Sequence, residues 1–281
     1  MTPTAVLFPG QGSLTPDSAD VARASCPDLV DEAIKLLGCD PFERAQETTA
    51  YAQPAIFLAS MAGWRAHERD LTEVLAMAGH SLGELSALAA AGAVSIADAL
   101  WLVVQRGRLM EAAAAAHGQG GMLALLGAEP EDAAAVAAEY ELVVANDNAP
   151  GQVVLSGDRE AIESLAGSAR DRGFKALMLD VSGAFHSPAV DAARDPFFEA
   201  LTAVEWTEPA VTVVSASTAA PFTDFPRELA DAVVSPVRWR ETMTALYDLG
   251  AREFVDAGPG KVVARLASRN LPTQEAHALA G

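Results

Sequence analysis

The chain has 281 residues, 51% hydrophobic and 20% charged, and its 38 acidic against 19 basic residues give a formal net charge of -19. This composition excludes a disordered chain, and the length fits one large domain or a domain carrying a smaller insert. Because an acidic surface repels polyanions, we expect neither nucleic acid nor an anionic membrane surface as a partner. An acidic protein partner would need a local basic patch. Its densest candidates, which could equally be scattered surface cations, are Arg238, Arg240, Lys261, Arg265 and Arg269.

Two features of the sequence bear on where the chain works. The apolar run Ala5–Phe8 lacks the basic start and long apolar core of a signal peptide. The longest apolar stretch, Ala87–Val104, is punctuated like a buried helix pair and not like a membrane span. Only Cys26 and Cys39 are present, without metal-ligand spacing, which indicates reduced thiols and no metal site. We therefore expect a cytoplasmic protein.

Strand-like and helical runs alternate through most of the chain, which predicts an α/β fold with a mostly parallel sheet covered by helices on both faces. A helix is predicted over Gln53–Trp64, and the residues Gln274–Gly281 have no periodicity and are expected to fray. The predicted strands of this sheet are Ala5–Phe8, Val74–Ala78, Val211–Ser215 and Glu253–Val255.

Between residues 120 and 182 the order of predicted elements changes to β, α, β, β, α, β, which is the split arrangement of ferredoxin-like domains. We therefore predict a large domain formed by residues 1–119 and 183–281 and a small ferredoxin-like subdomain over 120–182. The predicted elements of the small subdomain are Met122–Leu126, Glu129–Glu139, Leu142–Asn146, Gln152–Ser156, Arg159–Arg172 and Lys175–Val181.

A candidate nucleophile lies in the run Gly79-His80-Ser81-Leu82-Gly83. Glycines two residues before and after a serine let a strand turn sharply into a helix and leave the hydroxyl exposed. The alternative is a plain turn, but a predicted strand precedes this run and a predicted helix, Leu85–Ala91, follows it. The start of that helix, with the Leu82 N–H, would suit a developing oxyanion, and the glycine-rich turn Phe8–Ser13 is the candidate for a second donor.

A serine nucleophile needs a base, and five histidines are available. His67 lies in a charged turn, His277 in the tail and His117 in a loop of small residues, while the elbow would aim His80 away from the serine. His186 lies where the chain returns from the small to the large domain. It is the best candidate for the base, with a histidine at a helix start as the competing interpretation.

Seven short motifs, in order over nearly the whole chain, resemble those of malonyl-CoA:acyl carrier protein transacylases and of the acyltransferase domains of polyketide synthases. The resemblance implies a large α/β-hydrolase-like domain with an inserted ferredoxin-like subdomain. The motifs are Phe8–Ser13, Gly79–Glu84, Gln105–Gly107, Asn146–Gln152, Gly183–Ser187, Ser235–Trp239 and Gly258–Lys261.

The resemblance also implies a ping-pong transfer in which Ser81 takes an acyl group from coenzyme A and passes it to the phosphopantetheine thiol of an acyl carrier protein. Ser81 and His186 would form a dyad in which backbone carbonyl groups, and no carboxylate, steer the histidine. Gln11 and Leu82 would supply the N–H groups that bind the oxyanion. No cofactor is expected, since the coenzyme A thioester is a substrate and the phosphopantetheine belongs to the partner.

By the same resemblance, Arg106 would bind the free carboxylate of malonyl, whereas without the family it is interpreted as part of a solvated helix face. Phe185 would favour malonyl over methylmalonyl by filling the space of the extra methyl group, with core packing as the alternative. Asn148, otherwise a turn former, and His80 are further candidates for the substrate site.

The chain departs from the family pattern at two places, and several functions remain open. Leu14-Thr15 stands where the family usually has glutamine, and the helices before Tyr51 are abbreviated. Ala232 stands near a position that often holds glutamine, but one expected to act through its carbonyl. The alternatives are transfer of another acyl group between carrier proteins, the transferase component of malonate decarboxylase, a hydrolase of carrier-bound acyl groups, and a silent carrier-binding module.

Overall fold

The structure is a computed structural model that describes residues 2–68 and 73–278. The strands, numbered in chain order, are β1 (Thr4–Phe8), β2 (Val74–Gly79), β3 (Gly120–Leu126), β4 (Val143–Ala149), β5 (Gln152–Asp158), β6 (Lys175–Met178), β7 (Thr212–Val214), β8 (Glu253–Asp256) and β9 (Glu275–Ala278). The helices are α1 (Ser18–Ser25), α2 (Pro27–Leu37), α3 (Pro41–Arg44), α4 (Thr49–His67), α5 (Gly83–Ala90), α6 (Ile96–His117), α7 (Pro130–Glu139), α8 (Arg159–Ser168), α9 (Arg194–Thr202), α10 (Phe225–Asp231), α11 (Trp239–Asp248) and α12 (Val262–Asn270).

The described residues form two sheets, and we call each sheet with the helices packed on it a unit. A parallel sheet with the strand order β7-β2-β1-β8-β9 forms the centre of the larger unit. The prediction of an α/β fold with a parallel sheet is confirmed. Strand β1 is buried along its whole length, because it lies between β2 and β8 and helices cover both faces, as its uninterrupted apolar sequence predicts. The carboxyl ends of β1, β2 and β8 therefore lie side by side, and the loops that follow them meet at one edge of the sheet.

The end of the chain differs from the prediction. Fraying of the last residues is wrong for Glu275–Ala278, which forms β9 and pairs in parallel with β8 over its full length. The strand carries no apolar run because it lies at the edge of the sheet, with alternating exposed and half-buried residues, and its backbone pairing holds it in place. Residues 279–281 lie outside the described residues.

The second sheet is antiparallel and has the strand order β4-β5-β3-β6. Its strand β3 shows the two-residue period of a sheet with two different faces. Leu123 and Leu125 pack in the core beneath α7 and α8, whereas Met122 and Ala124 face the larger unit. The small unit is joined to the large one by backbone hydrogen bonds between residues 145–147 of β4 and Val237.

Most elements differ from their predicted limits by a few residues, and α8 ends at Ser168, before the predicted limit at Arg172. Helix α4 extends the prediction at both ends, and α5 begins at Gly83, two residues earlier than expected. Strand β6 ends at Met178, before the predicted limit at Val181. Within residues 2–68 and 73–278, no helix is both long and apolar enough to cross a membrane.

Candidate active site

Ser81 lies on the sharp turn between β2 and α5, with a φ angle of 54°. The two flanking glycines are required by close approach of the backbone. A Cβ at Gly79 would lie 1.8 Å from the carbonyl carbon of Gly83, and a Cβ at Gly83 would lie 2.1 Å from the carbonyl oxygen of Phe8. The predicted strand, sharp turn and helix are therefore present, and the turn directs the Ser81 hydroxyl into a cavity.

The Ser81 hydroxyl is hydrogen-bonded to His186, with 2.7 Å between Oγ and Nε2. His186 is buried. Its φ of 56° lies in the left-handed region, and this backbone conformation turns the imidazole towards Ser81. On its other side, Nδ1 lies 2.9 Å from the carbonyl oxygen of Ser235 and 3.1 Å from that of Ala232. Two carbonyl groups fix the proton on Nδ1 and leave Nε2 as an acceptor for the serine proton. Ala232, which stands where the family often has glutamine, is compatible with this geometry because its backbone carbonyl, and not its side chain, contacts His186.

The imidazole of His186 is neutral at physiological pH. Burial, followed by the positive charge of Arg106, lowers the pKa of His186 to about 3. A neutral imidazole with a free Nε2 is the form that accepts a proton.

Arg106, on α6, is only 5% exposed, so the interpretation as a solvated helix face is wrong. Its Nη1 donates to Gln53 Oε1 at 2.8 Å, and its Nη2 donates to Ser81 Oγ at 3.1 Å. Burial lowers the pKa of Arg106 to about 10, which still leaves the guanidinium charged. Within the part of the chain that the structure describes, no carboxylate forms an ion pair with Arg106, and the buried carboxyl of Glu84 acts on its pKa only from a longer distance. Buried charges are usually paired, so a site that leaves one unpaired is suited to an anionic ligand.

Leu82 and Gln11 are the two residues whose backbone N–H groups are predicted to bind an oxyanion. Leu82 is buried at the first position before α5, where helix N–H groups have no partner within the helix. Gln11 lies in the turn after β1, and its exposed side chain accepts a hydrogen bond from Thr49 Oγ1 at 3.1 Å. Both residues line the same cavity as Ser81.

Comparison with known proteins shows the family of the chain. The model of the acyl transferase domain family matches residues 35–280. A malonyl CoA-acyl carrier protein transacylase of Salmonella typhimurium is 35% identical, over 99% of this chain and 96% of the relative. The polyketide biosynthesis malonyl CoA-acyl carrier protein transacylase PksC of Bacillus subtilis is 35% identical over 94% and 95% of the two chains. The chain belongs to the acyl transferase family.

A solved structure extends this comparison to the fold of the acyl transferase. The structure of a malonyl-transacylase in complex with a type II polyketide synthase acyl-carrier protein superposes with a TM-score of 0.90. The sequences are 31% identical, and the match covers 99% of this chain and 96% of the other.

The remaining predicted site residues also surround the cavity of this acyl transferase. His80 Nε2 is hydrogen-bonded to Asn148 Oδ1 at 2.8 Å, and its ring packs against Trp239 with 5.2 Å between centroids. Burial lowers the pKa of His80. Asn148 belongs to β4 and not to a turn, and its carbonyl oxygen accepts from Asn270 at 2.9 Å. Phe185, the residue before His186, is buried and lines the cavity.

The cavity has a volume of about 960 Å³ and two ends of different character. Buried polar side chains surround its closed end beside Arg106, and apolar side chains of Met110, Met122 and Val154 form its walls. Exposed residues of α12, Arg265 and Arg269 among them, line its open end. In this acyl transferase, the cavity that reaches Ser81 is therefore also lined by basic residues of α12.

The predicted basic patch divides into two groups in the structure. Arg238 pairs with Glu241, and Arg240 pairs with Asp147 and Glu129. Lys261, Arg265 and Arg269 are exposed, and no carboxylate of the described residues pairs with them. Their four-residue spacing puts these three side chains on one face of α12 and its N-cap.

Two polar residues beside Arg106, Gln53 and Thr49, were not predicted as part of the site. Gln53 is 2% exposed and Thr49 is 1% exposed, and both lie on the first turns of α4. A glutamine within an otherwise apolar helix was the signal in the sequence, because a buried amide needs hydrogen-bond partners. The partner itself, Arg106, lies 53 residues away in the chain.

Two buried carboxylates that support the site were also missed. Glu84, on α5, accepts from Ser215 Oγ at 3.1 Å and from the Ala216 N–H at 2.8 Å, and burial raises its pKa to about 7. Asp256, at the end of β8, accepts from three backbone N–H groups at 3.1 to 3.2 Å, and burial raises its pKa to about 7 as well. They hold the segment after β7 and the start of α12 against the central sheet.

Proposed function

We propose that this protein moves a malonyl group from coenzyme A to the phosphopantetheine thiol of an acyl carrier protein through an ester on Ser81. The observation that carries the proposal is the buried guanidinium of Arg106, 3.1 Å from the Ser81 hydroxyl and without a carboxylate partner among the described residues. Relatives named as malonyl CoA-acyl carrier protein transacylases, and a structural neighbour in complex with a carrier protein, support the same donor and acceptor.

In the first half-reaction, Ser81 Oγ attacks the thioester carbonyl carbon while its proton passes to His186 Nε2, 2.7 Å away. The carbonyl oxygen gains a negative charge, which the N–H groups of Gln11 and Leu82 stabilise. When the tetrahedral intermediate collapses, the C–S bond breaks and the departing coenzyme A thiolate takes the proton from Nε2. The products are the malonyl ester of Ser81 and free coenzyme A.

The second half-reaction uses the same groups in reverse. The thiol of the carrier's phosphopantetheine gives its proton to His186 Nε2 and attacks the ester carbonyl. The C–O bond to Ser81 breaks, and Oγ recovers a proton from the imidazolium. The carbonyl oxygens of Ala232 and Ser235 hold Nδ1–H throughout, so the ring keeps one orientation in both halves. No cofactor enters this scheme.

Selection of the acyl group depends on Arg106. A malonyl carboxylate would take up the free donors of the guanidinium in a bidentate pair, whereas an acetyl group would leave the buried charge unpaired. Discrimination of about 10⁴ against acetyl is expected from pockets that reject a ligand lacking a required polar group. Phe185 would add a smaller preference, since the space for one methyl group is worth about 1 to 3 kcal/mol.

The open end of the cavity suits an acidic carrier protein. Lys261, Arg265 and Arg269 form an exposed basic row along α12 in a chain whose net charge is -19. Such a row would attract an acidic partner to the entrance that leads to Ser81.

Mixing the protein with malonyl-CoA and measuring its intact mass tests the proposal. We expect one malonyl adduct per chain, which is lost in Ser81→Ala and transferred when a holo carrier protein is added. The matched control is Ser86→Ala, which removes a buried hydroxyl from the following helix and should retain the adduct. Absence of an adduct in the wild-type protein, or its persistence in Ser81→Ala, would contradict the proposal.

Other acyl groups remain to be compared with malonyl. Competition between malonyl-CoA and larger acyl thioesters for the adduct tests transfer of another group, because a preferred competitor would displace malonyl. Hydrolysis of the adduct without a carrier protein, faster than transfer to one, would favour a hydrolase.

We further infer that the large unit is α/β-hydrolase-like and that the small unit is ferredoxin-like. The turn at Ser81 after a central parallel strand supports the first inference, and the order β4-β5-β3-β6 around two helices supports the second. The domain limits 1–119 with 183–281, and 120–182, belong to the same proposal. So does a location in the cytoplasm, where coenzyme A thioesters and carrier proteins would be met.

A further inference from the structure

A continuous row of hydrogen bonds connects Arg106 to the turn that carries the Gln11 N–H. Arg106 Nη1 donates to Gln53 Oε1 at 2.8 Å, and Gln53 Nε2 donates to Thr49 Oγ1 at 3.0 Å. Thr49 Oγ1 in turn donates to Gln11 Oε1 at 3.1 Å. Arg106, Gln53 and Thr49 are at most 5% exposed, so the first two bonds are buried, while the bond from Thr49 to the exposed Gln11 is only partly buried.

The chemistry of the donors fixes the direction of this row. A guanidinium can only donate, so the Gln53 carbonyl must face Arg106 and its NH₂ group must face Thr49. The Thr49 hydroxyl accepts from that NH₂ group and has its own proton left for Gln11. The donor-only guanidinium of Arg106 therefore fixes which way the Gln53 amide and the Thr49 hydroxyl point. Hydrogen bonds that follow one another in this way polarise one another.

The turn at Gln11 needs such support. It follows β1 directly, Gln11 and Gly12 are exposed, and Gly12 has a φ of +90°. On its far side the turn is supported by the bond from Ser13 Oγ to the carbonyl oxygen of Gly10 at 2.9 Å, and by Gly258, where a Cβ would lie 2.1 Å from the Pro9 ring. Thr49 is the contact on its near side.

We propose that Thr49 is a positioning residue that couples the carboxylate-binding arginine to the Gln11 N–H of the oxyanion site. The inference rests on the proposed function of Arg106 and Gln11 and assigns to the hydroxyl of Thr49 the task of holding the turn at one distance from Ser81. A site that binds the malonyl carboxylate at Arg106 is thereby linked to the group that stabilises the reacting carbonyl at the other side of the serine.

Thr49→Val tests the role, because valine keeps the shape of threonine and removes both hydrogen bonds. We expect the rate constant for acylation of Ser81 by malonyl-CoA to fall about tenfold to hundredfold, since displacement of a catalytic group by about 1 Å has effects of this size. KM should change little, and Thr49→Ser should restore the rate. The matched control is Thr48→Val, which removes a neighbouring buried hydroxyl that has no partner among the described residues.

A double-mutant cycle separates coupling from mere structural support. Acetyl-CoA serves as the donor, so that loading of Ser81 can be followed after Arg106→Met. We expect Thr49→Val to slow acetyl loading in the wild-type background and to have less than about a threefold further effect once Arg106 is replaced, because contacting residues in one network are not additive. Equal effects in the two backgrounds, or a wild-type rate for Thr49→Val, would overturn the coupling.

Failure of this inference differs from failure of the proposed function. A wild-type protein that forms no malonyl adduct contradicts the proposed function. A wild-type protein that forms the adduct, together with a Thr49→Val variant of the same melting temperature and the same acylation rate, contradicts the role of Thr49 alone.

Discussion

The two ends of the cavity hold positive charge in opposite ways. At the closed end one guanidinium, that of Arg106, is 5% exposed and donates to uncharged groups. At the open end Lys261, Arg265 and Arg269 are exposed along one face of α12 and its N-cap. A buried charge acts on a single ligand group at short range, whereas exposed charges act together and are screened by salt. The closed end is thus suited to choosing an acyl group and the open end to attracting a large partner.

Arg106→Met should break the selective end and have the largest effect. We expect malonyl transfer to fall by about 10³ to 10⁴, with no comparable fall for acetyl-CoA, because methionine retains the packing but cannot pair with a carboxylate. Steady-state transfer from the two thioesters measures the ratio. Arg108→Met, which changes an exposed arginine in the same helix, is the control. Retention of the malonyl preference in Arg106→Met would contradict the assignment.

The double substitution Lys261→Ala and Arg265→Ala should affect the open end only. We expect KM for the carrier protein to rise about threefold to tenfold at low ionic strength and much less at high salt, while the extent of adduct formation at saturating malonyl-CoA is unchanged. Arg238→Ala, which removes a cation already paired with Glu241, is the control. A rise in KM that does not depend on salt would argue against electrostatic attraction.

The smallest expected effect concerns the closed end of the cavity and is the influence of the Arg106 charge on the pH dependence of acylation. Burial and the charge of Arg106 lower the pKa of His186 to about 3, so the imidazole remains neutral well below pH 6.5. The stability that neutral His186 contributes is complete above pH 6.5 and is lost as the pH falls towards 3. Arg106→Met removes one of the two main causes, and the midpoint of the acetyl-loading profile should move upward. An unchanged midpoint would contradict the influence of Arg106.

The sequence predicted the features of the site that depend on local backbone geometry. The glycines on both sides of Ser81 are required by contacts with backbone atoms near the turn, so the motif alone indicated the turn. His186 could be predicted as the base because it lies where the chain returns to the larger unit. The contact between Ala232 and His186 is made by a backbone carbonyl, so it survives a change of side chain.

What the sequence did not predict depends on contacts between distant segments. Thr49 meets Gln11 across 38 residues, and nothing near either residue in the chain indicates the other. The edge strand β9 pairs with β8 through its backbone, so its sequence needs no apolar period. Asp256 contacts the start of α12 only because the loop between them folds back over the end of β8.

The left-handed backbone at both Ser81 and His186 has a consequence for the stability of the whole protein. Each of these residues carries a side chain at a φ that costs roughly 1 to 2 kcal/mol for an L-amino acid. Packing of the surrounding core must offset that strain. In return, the folded backbone fixes the direction of both side chains before a substrate binds. The proposed chemistry thus depends on a strained backbone conformation at two residues, whose cost is met when the protein folds.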